Sequence, residues 1–299
     1  GADGATVLQV TETFARYCAV TAFLLVQHTG VCRSIAVGGS PIAADLLPAL
    51  ARGEMIAGIG AAQLRRAGPP MLRAAAVDGG YQLDGRVPWV SGYGLMTHLA
   101  LGAMVEGVGP LFFWVPFREA PGIRFSEPQD LAVMRAASTV SAVCEGLFVP
   151  QANLIGDDAG GYWQAQHGGA LANPTAFVLG IGAASLDGLR TAVERVGRPP
   201  QLAYVQELTD SLAAARSHFY DLVQASSLGS ASPDLLDALL DARVSTTRLV
   251  LRIAEAAIAA EGGGAHLRTN PAQRHLREAA FFLTVTVNPA AREALVLGM

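Results

Sequence analysis

Two stretches of this chain combine residue types that could hold a planar ring compound and its phosphates. The first is Trp89-Val90-Ser91, a few residues after Leu83-Asp84-Gly85. A flat apolar ring excludes water from one face of a planar ligand, and a short hydroxyl side chain can hydrogen bond to a ring nitrogen without crowding it. A tryptophan in a sheet core beside an ordinary turn serine is the alternative interpretation.

Adjacent glycines form the second stretch. Gly262-Gly263-Gly264 has backbone amides without side chains, so the adenosine or pyrophosphate part of a dinucleotide could approach closely. A proline, two arginines and an acid follow at short spacing, as Pro271, Arg274, Arg277 and Glu278. A plain C-terminal cap of a helix ending at Glu261 would also explain the glycines.

Two neighbouring arginines could add phosphate contacts, because a planar guanidinium matches the geometry of phosphate oxygens. They are Arg65 and Arg66, which follow Gly60-Ala61-Ala62. An exposed arginine pair on a loop is the alternative interpretation of Arg65 and Arg66.

In sequence order, these stretches resemble segments of the acyl-CoA dehydrogenase family. The run x-Leu-Asp-Gly-x-x-x-Trp-Val-Ser-Gly around Trp89 is similar to the family's x-Leu-Asn-Gly-x-Lys-x-Trp-Ile-Thr-Asn. Residues 132–156, with Met134-Arg135-x-x-Ser138-Thr139, resemble the family's closing strands. The glycine stretch resembles Gly-Gly-x-Gly followed by Pro-x-x-Arg-x-x-Arg-Asp, with Ala265 and Glu278 as replacements.

The resemblance implies FAD as the cofactor and an acyl-CoA or acyl-like small molecule as the substrate. Trp89 would pack beside the isoalloxazine ring, and the Ser91 hydroxyl would bind near flavin N5. The other implied cofactor contacts are Ala61, Ala62, Arg195, Gly262, Gly263 and Gly264. The implied substrate contacts are Arg135, Ser138 and Thr286. In the family the glycine loop serves a flavin bound mainly by a neighbouring subunit, which implies a homodimer or homotetramer.

The family's catalytic base has no evident counterpart. It usually lies eight residues beyond the acid of the Arg-Asp pair, and that position is Thr286. Threonine cannot accept a proton from a carbon acid near neutral pH. Some members take the base from the first long helix of the bundle, but residues 171–186 contain no Asp or Glu. The alternative is a shifted register, in which Glu145 or Glu278 reaches the substrate.

Three functions are therefore compatible with the sequence. The first is a flavin-dependent oxidoreductase with an atypical or missing base. The second is a flavin-dependent monooxygenase of the same fold, in which reduced flavin reacts with oxygen and no carbon-acid base is required. The third is a non-catalytic binding or assembly homologue, which the loop Gly60 to Pro70 would permit because it departs from the family's Met-Thr-Glu-Pro-x-x-Gly-Ser-Asp.

The elements that must position these residues change character twice along the chain. Apolar residues recur at helical spacing from about Val7 to Leu50, short strand-like runs follow, and the helical period then returns. We expect an α+β fold like that of acyl-CoA dehydrogenases. The predicted domains are an incomplete N-terminal helical domain at 1–53, a middle β-barrel domain at 54–160 and a C-terminal four-helix bundle at 161–299.

Capping residues and glycines predict the boundaries of individual elements. Four pairs place a capping side chain before a proline suited to the first helical position: Ser40-Pro41, Asn173-Pro174, Ser232-Pro233 and Asn270-Pro271. Gly79-Gly80 and Asp84-Gly85 each predict a turn between strands.

Composition limits the partners. A net charge of -4 without basic runs argues against nucleic acid and anionic membranes. Mean hydropathy is +0.35, yet no run approaches the about 18 to 20 uninterrupted apolar residues of a membrane span. The three cysteines show no CxxC spacing and the six histidines no metal-ligand spacing, so no metal is predicted. With no signal-peptide pattern at the start, a cytoplasmic location is expected.

Overall fold

A computed structural model describes residues 2–38, 40, 42–66, 68–157, 162–227, 232–285 and 289–297. Contacts between residues divide the chain into two units. The first contains Gly1–Ala22 and Gln166–Met299, and the second contains Phe23–Ala165. The three predicted domains, 1–53, 54–160 and 161–299, stay a prediction; in the structure, the first 22 residues are grouped with the later helices.

In the described part of the chain, the second unit is built around a mixed sheet. Its strands are β1 Ala57–Gly60, β2 Leu72–Val77, β3 Gly80–Val90, β4 His98–Val105, β5 Gly109–Pro116, β6 Ile123–Phe125, β7 Val140–Pro150 and β8 Leu154–Asp157. Hydrogen-bonded neighbours follow the order β6-β7-β3-β2-β4-β5-β8, and β1 pairs with β4. The pairings of β4 with β1 and β2 are parallel, and the others are antiparallel.

Helices precede and follow the sheet, which confirms the predicted α+β order. They are α1 Gly4–Tyr17, α2 Ala19–Val37, α3 Ala43–Ala51, α4 Tyr162–Glu194, α5 Pro199–Ser227, α6 Pro233–Glu261, α7 Pro271–Phe281 and α8 Pro289–Leu297. The long helices α4, α5 and α6 belong to the first unit, apart from the first residues of α4. Helix α6 carries the apolar residues whose helical spacing predicted a bundle.

Both faces of the central strands are buried, because successive side chains of a strand point to opposite sides of the sheet. Leu99 and Phe113 belong to the core on one face. Trp114 lies on the other face, in a core shared with Val31 of α2. A strand buried on both faces has an unbroken apolar sequence, which explains the run Leu111–Val115.

One of the two predicted turns is wrong. Strands β2 and β3 do pair directly across Gly79, which has a φ of +76°. At Asp84-Gly85, however, β3 continues and its register against β7 shifts between Leu83 and Gly85. Gly85 has a φ of +129°, and a Cβ there would lie 2.1 Å from the Met71 carbonyl oxygen. Glycine is required at this bulge because of its positive φ and the close Met71 carbonyl. A turn between strands also favours glycine, which is why the sequence predicted a turn here.

Two of the predicted helix starts are confirmed. Ser232 Oγ accepts a hydrogen bond from Leu235 N at 3.3 Å at the start of α6. Asn270 Oδ1 accepts one from Ala272 N at 2.9 Å at the start of α7. In both cases the following proline is the first helical residue. Proline fits there because its missing N–H would have no partner within the helix.

The other two predicted starts are wrong. Helix α4 begins before Asn173 and continues through Pro174. Proline has a helical φ and removes one hydrogen bond, so packing along a long helix can outweigh its cost of about 3 kcal/mol. Helix α3 begins at Ala43 without a side-chain cap, and Ser40 Oγ instead donates to the Leu154 carbonyl at 3.0 Å.

Polar contacts fix α1 on the later helices of the first unit. Glu12 accepts hydrogen bonds from Arg216 Nε at 2.7 Å and from the Tyr220 hydroxyl at 2.6 Å. Arg16 forms an ion pair with Asp187 at 2.7 Å. These contacts explain why the first residues of the chain are grouped with the bundle.

Among the residues that the structure describes, two helical stretches have the length and composition of a membrane span. They are Ala19–Ala36, of which 22% is buried, and Ala172–Glu194, of which 67% is buried. Burial of the second stretch is typical of a core helix in a globular protein. The sequence criterion of uninterrupted apolar residues did not detect either stretch, because each contains scattered polar residues. The absence of a membrane partner stays a prediction.

Candidate active site

Trp89 lies near the end of β3 and is 51% exposed. The register of β3 against β7 shifts between Val87 and Val90, and both valines are fully buried. Because this irregularity puts two buried residues three positions apart, the indole between them faces outward. The alternative of a tryptophan in the sheet core is therefore wrong. A broad apolar face is available at this end of β3.

A pair of buried hydroxyls lies beside this tryptophan in the sequence. Ser91 Oγ is 2.8 Å from Thr139 Oγ1, and the two residues are 9% and 6% exposed. Two hydroxyls contain two protons, and the bond between them uses one. One O–H group of the pair can therefore still donate a hydrogen bond.

The segment before β7 holds the end of β3 in place. The Gln129 side chain donates from Nε2 to the Pro88 carbonyl at 3.0 Å. Farther along, Gly92 N donates to the Ala137 carbonyl at 2.7 Å. These bonds attach residues on both sides of Trp89 to one segment, so the position of the indole is fixed by backbone as well as by sheet pairing.

The predicted substrate contacts Arg135 and Ser138 lie in this same segment. Met134 and Ser138 have φ values of 59° and 47°, in the left-handed region that residues other than glycine rarely adopt. The Ser138 carbonyl accepts a hydrogen bond from Tyr93 N at 3.1 Å, which holds the strained backbone in place. Arg135 forms an exposed ion pair with Asp130 at 3.1 Å. Strained backbone of this kind clusters at binding sites.

The turn after β1 contains the predicted contacts Ala61 and Ala62. Ala61 is buried and Ala62 is exposed. Gln63 is 4% exposed, and its Nε2 donates to the Gly102 carbonyl at 2.7 Å and to the Gly60 carbonyl at 3.2 Å. Gln63 Oε1 is buried and has no hydrogen-bond partner. The Gln63 side chain thus fixes this turn by bonds to two backbone carbonyls.

This turn lies close to the end of β3. A Cβ placed on Gly60 would be 3.7 Å from Val90 Cγ2 and 3.8 Å from Val87 Cγ1. The turn after β1 therefore packs against the two buried valines that flank Trp89 in β3. The same unit contains the exposed indole and, two residues later in the chain, the hydroxyl pair with its available O–H donor.

In the first unit, the predicted cofactor contact Arg195 directly follows α4, and the three predicted glycines directly follow α6. Arg195 Nη2 forms an ion pair with Glu261 Oε1 at 2.7 Å, directly before the glycine stretch. Gly262 has a φ of +62°, which favours glycine. Gly263 and Gly264 have ordinary φ values, and a Cβ on either would meet no atom within 4 Å. Packing within the chain therefore does not require glycine at these two positions.

Helix α7 carries a buried acid and a buried histidine. Burial raises the pKa of the Glu278 carboxyl to about 7, although Arg274 and Arg277 oppose the shift. Burial, and next the charge of Arg274, lowers the pKa of His275 to about 4. Arg274 Nη2 lies 3.1 Å from His275 Nε2. Because a guanidinium can only donate, the neutral imidazole has its proton on Nδ1.

Thr286, at the expected position of the base, lies outside the described residues. The chain just before it is held by Arg243, a fully buried arginine of α6. Arg243 Nη2 donates to the Val285 carbonyl at 2.8 Å and to the Phe282 carbonyl at 3.4 Å. The described residues thus fix where the segment containing Thr286 begins.

Glu145, the other acid considered for a shifted register, lies on β7. It forms an ion pair with Arg124 at 2.9 Å, and both side chains are more than 60% exposed. An exposed carboxylate that is paired with an arginine is in contact with solvent, so this geometry does not favour Glu145 as the base.

Sequence reasoning missed three side chains of these surfaces. Thr139 belongs to a motif of the sequence but was assigned no role, and neither Gln63 nor Glu261 was assigned one. Each contacts a residue that is 39 to 66 positions away in the sequence. The contact of Thr139 with Ser91 could have been inferred only by pairing the two strands that the resemblance implies. Within the described ranges, no group of three or more metal-binding side chains occurs.

The curated proteins to which the chain is similar include several acyl-CoA dehydrogenases. No family model matches the chain. The mitochondrial 2-methylacyl-CoA dehydrogenase of Solanum tuberosum is 27% identical over 271 residues, which are 86% of this chain and 63% of that protein. The mitochondrial isovaleryl-CoA dehydrogenase of Oryza sativa subsp. japonica is 25% identical over 274 residues, 85% of this chain and 66% of that protein. The chain spans slightly less than two thirds of the length of these relatives.

Several solved structures have the same fold. Butyryl-CoA dehydrogenase from Megasphaera elsdenii has a TM-score of 0.82 at 20% identity, over 97% of this chain and 80% of that one. A glutaryl-CoA dehydrogenase from Mycobacterium smegmatis in complex with FADH2 has a TM-score of 0.75 at 18% identity, over 90% and 72%. The 3-HSA hydroxylase from Rhodococcus sp. RHA1 has a TM-score of 0.79 at 18% identity, over 99% and 82%.

Proposed function

We propose, on the premise that the chain belongs to the acyl-CoA dehydrogenase family, that it binds FAD and oxidises an acyl-CoA or acyl-like substrate. The observation that carries the proposal is the exposed indole of Trp89 beside the Ser91–Thr139 hydroxyl pair. The backbone on both sides of Trp89 is held by hydrogen bonds, and half of the side chain is exposed. The indole is therefore both fixed and available to a planar ligand.

The residues present fit FAD. The Trp89 indole can cover one face of a ring system, and the hydroxyl pair can donate to a ring nitrogen or carbonyl. Gly263 and Gly264 leave open the space that a Cβ would fill, so a pyrophosphate can approach their backbone. FAD, when bound, would supply an acceptor for a hydride.

Each residue then has a stated task. Trp89 excludes water from the ring, and Ser91 donates a hydrogen bond at its edge. Ala61 and Ala62 offer backbone groups in a turn that Gln63 fixes. Further contacts assigned by this proposal are Arg195 and Gly262 to Gly264 for the phosphates, and Arg135, Ser138 and Thr286 for the substrate.

Proton abstraction has no assigned residue, since Thr286 is a hydroxyl. This observation favours a second candidate, a flavin-dependent monooxygenase that needs no carbon-acid base. A hydroxylase among the structures of the same fold agrees with it. The first candidate stays preferred because the sequence relatives are dehydrogenases.

We also infer a homodimer or a dimer of dimers in the cytoplasm. The phosphate-binding glycines and the Trp89 surface belong to different units of the chain. The resemblance implies that the glycine loop binds a flavin held mainly by a neighbouring subunit. A closed homo-oligomer would give every subunit the same shared site.

Visible absorption spectroscopy of the purified protein, before and after addition of FAD, tests the proposal. Bound flavin is expected in proportion to the number of subunits. Absence of flavin without uptake of added FAD would leave only a non-catalytic homologue. Anaerobic bleaching of the flavin by an acyl-CoA supports the dehydrogenase. Rapid oxygen consumption by the reduced flavoprotein, without such bleaching, supports the monooxygenase.

A further inference from the structure

We infer that Thr139 is a positioning residue for the Ser91 hydroxyl, so that the pair presents one directed O–H donor to an acceptor atom of the flavin ring. The inference rests on the proposed FAD site. It assigns to Thr139 a role that is exerted through its contact with Ser91.

Strand pairing places the two hydroxyls opposite each other. Val90 of β3 is the pairing partner of Val140 of β7, and the strands are antiparallel. In an antiparallel pair, the residue after one partner faces the residue before the other. Ser91 and Thr139 therefore meet by register, and their oxygens lie 2.8 Å apart.

Hydrogen bonds of the neighbouring backbone fix the position of Thr139. Its carbonyl accepts a hydrogen bond from Gln129 N at 2.8 Å, and the Gln129 side chain donates to Pro88 in the opposite strand. A β-branched side chain also has few rotamers. The position of Thr139 Oγ1 is thus set by the backbone on both sides.

A fixed partner determines where the Ser91 proton points. When Thr139 donates to Ser91 Oγ, the Ser91 proton must turn away from Thr139 and is free for another acceptor. A serine without this partner would rotate among three staggered positions. It would then lose rotamer freedom on binding the ligand, and the affinity would fall.

Two variants of Thr139 separate orientation from packing. Thr139→Val has nearly the same shape without the hydroxyl, and Thr139→Ser retains the hydroxyl. The expected result is FAD binding weakened about 3- to 10-fold in Thr139→Val, with a shifted flavin absorption maximum, and near-normal values in Thr139→Ser. Affinity is measured by fluorescence titration, alongside the melting temperature of the apoprotein.

A control removes a buried hydroxyl elsewhere. Thr11 is 1% exposed and its Oγ1 donates to the Val7 carbonyl at 2.8 Å within α1. Thr11→Val should lower the melting temperature by an amount similar to that of Thr139→Val but leave flavin affinity and spectrum unchanged. Equal spectral effects in both variants would mean that Thr139 acts only through stability.

The double variant Ser91→Ala, Thr139→Val decides whether Thr139 acts through Ser91. If it does, the double variant binds FAD as weakly as Ser91→Ala alone. Multiplied effects of the two substitutions, or wild-type affinity and spectrum in Thr139→Val, would overturn the inference while leaving the FAD site intact. Wild-type protein that takes up no FAD would overturn the proposed function and this inference with it.

Discussion

Arg195 and Glu261 form an ion pair of 2.7 Å at the point where α6 ends and the three glycines begin. The Arg195 side chain is 60% exposed, whereas that of Glu261 is 23% exposed. Glu261 therefore holds the Arg195 side chain in position, while most of the Arg195 side chain stays accessible to a ligand. The pair places a positive charge beside backbone that a phosphate could approach.

Arg195→Met should weaken FAD binding about 3- to 10-fold, because an exposed charge-assisted hydrogen bond to phosphate is lost. Glu261→Gln should leave the affinity unchanged or increase it, because it removes a negative charge near the phosphates. Isothermal titration with FAD measures both. Riboflavin, which has no phosphate, serves as the control ligand, and an equal loss of riboflavin affinity in Arg195→Met would contradict this assignment.

Mixed dimers test whether each flavin is shared by two subunits. Gly263→Val should block phosphate approach without a clash in the chain itself, since a Cβ there meets no atom within 4 Å. Dimers of Trp89→Ala subunits and dimers of Gly263→Val subunits should both bind FAD poorly. A dimer with one subunit of each kind should regain one intact site of two. A site built within one subunit would give no recovery, and sedimentation as a monomer would exclude sharing.

Thr286→Glu should create a base at the position where the resemblance predicts one. General-base catalysis contributes about two to four orders of magnitude, so the wild-type protein should bleach slowly or not at all with straight-chain acyl-CoAs. Anaerobic stopped-flow absorbance with a panel of acyl-CoAs measures the reduction of bound flavin. Thr286→Gln is the matched control without a carboxylate. Rapid bleaching by the wild-type protein would show that another residue is the base.

Glu278 should make the protein less stable as pH rises from about 4.5 to about 7, because its pKa is raised by burial and the folded state then retains a proton that the unfolded state has lost. His275 gives the opposite slope from about 4 to 6.5. Glu278→Gln removes the pH dependence due to Glu278 and keeps that due to His275. The difference in free energy of unfolding, variant minus wild type, should therefore become more positive from pH 5 to pH 8, by no more than about 3 kcal/mol.

Urea unfolding at both pH values measures this difference. Glu145→Gln is the matched control, because Glu145 is an exposed partner of Arg124. This variant reports the effect of the same substitution at an exposed site, without burial. An identical difference at pH 5 and pH 8 for Glu278→Gln would mean that the buried carboxyl does not titrate in this window.

The sequence predicted the fold well wherever the signal was local. Ser232 and Asn270 cap helices because a side chain and an amide two or three residues away suffice for the bond. Gly85 was interpreted as a turn because a turn and a bulge both require a positive φ. Pro174 was interpreted as a helix start because the sequence does not show how much packing a long helix gains.

The candidate site was predictable where motifs keep their order and not where contacts are distant. The motif led to Trp89 and Ser91, while Thr139 becomes relevant only when β3 and β7 are paired. The role of Gln63 depends on a hydrogen bond to the carbonyl of Gly102, 39 residues away. Side chains that support a site through distant backbone leave little trace in a single sequence.

FAD titration of Trp89→Ala tests the central claim most directly, since that claim places the flavin ring against the exposed indole. Phe148→Ala is the matched control: Phe148 is 52% exposed on the same sheet, opposite Gln82 at the other end of β3. We predict that Trp89→Ala weakens FAD binding about 10-fold or more and alters the flavin spectrum. Phe148→Ala should bind as the wild type does. Equal affinities of Trp89→Ala and wild type, or an equal loss in both variants, would contradict the account.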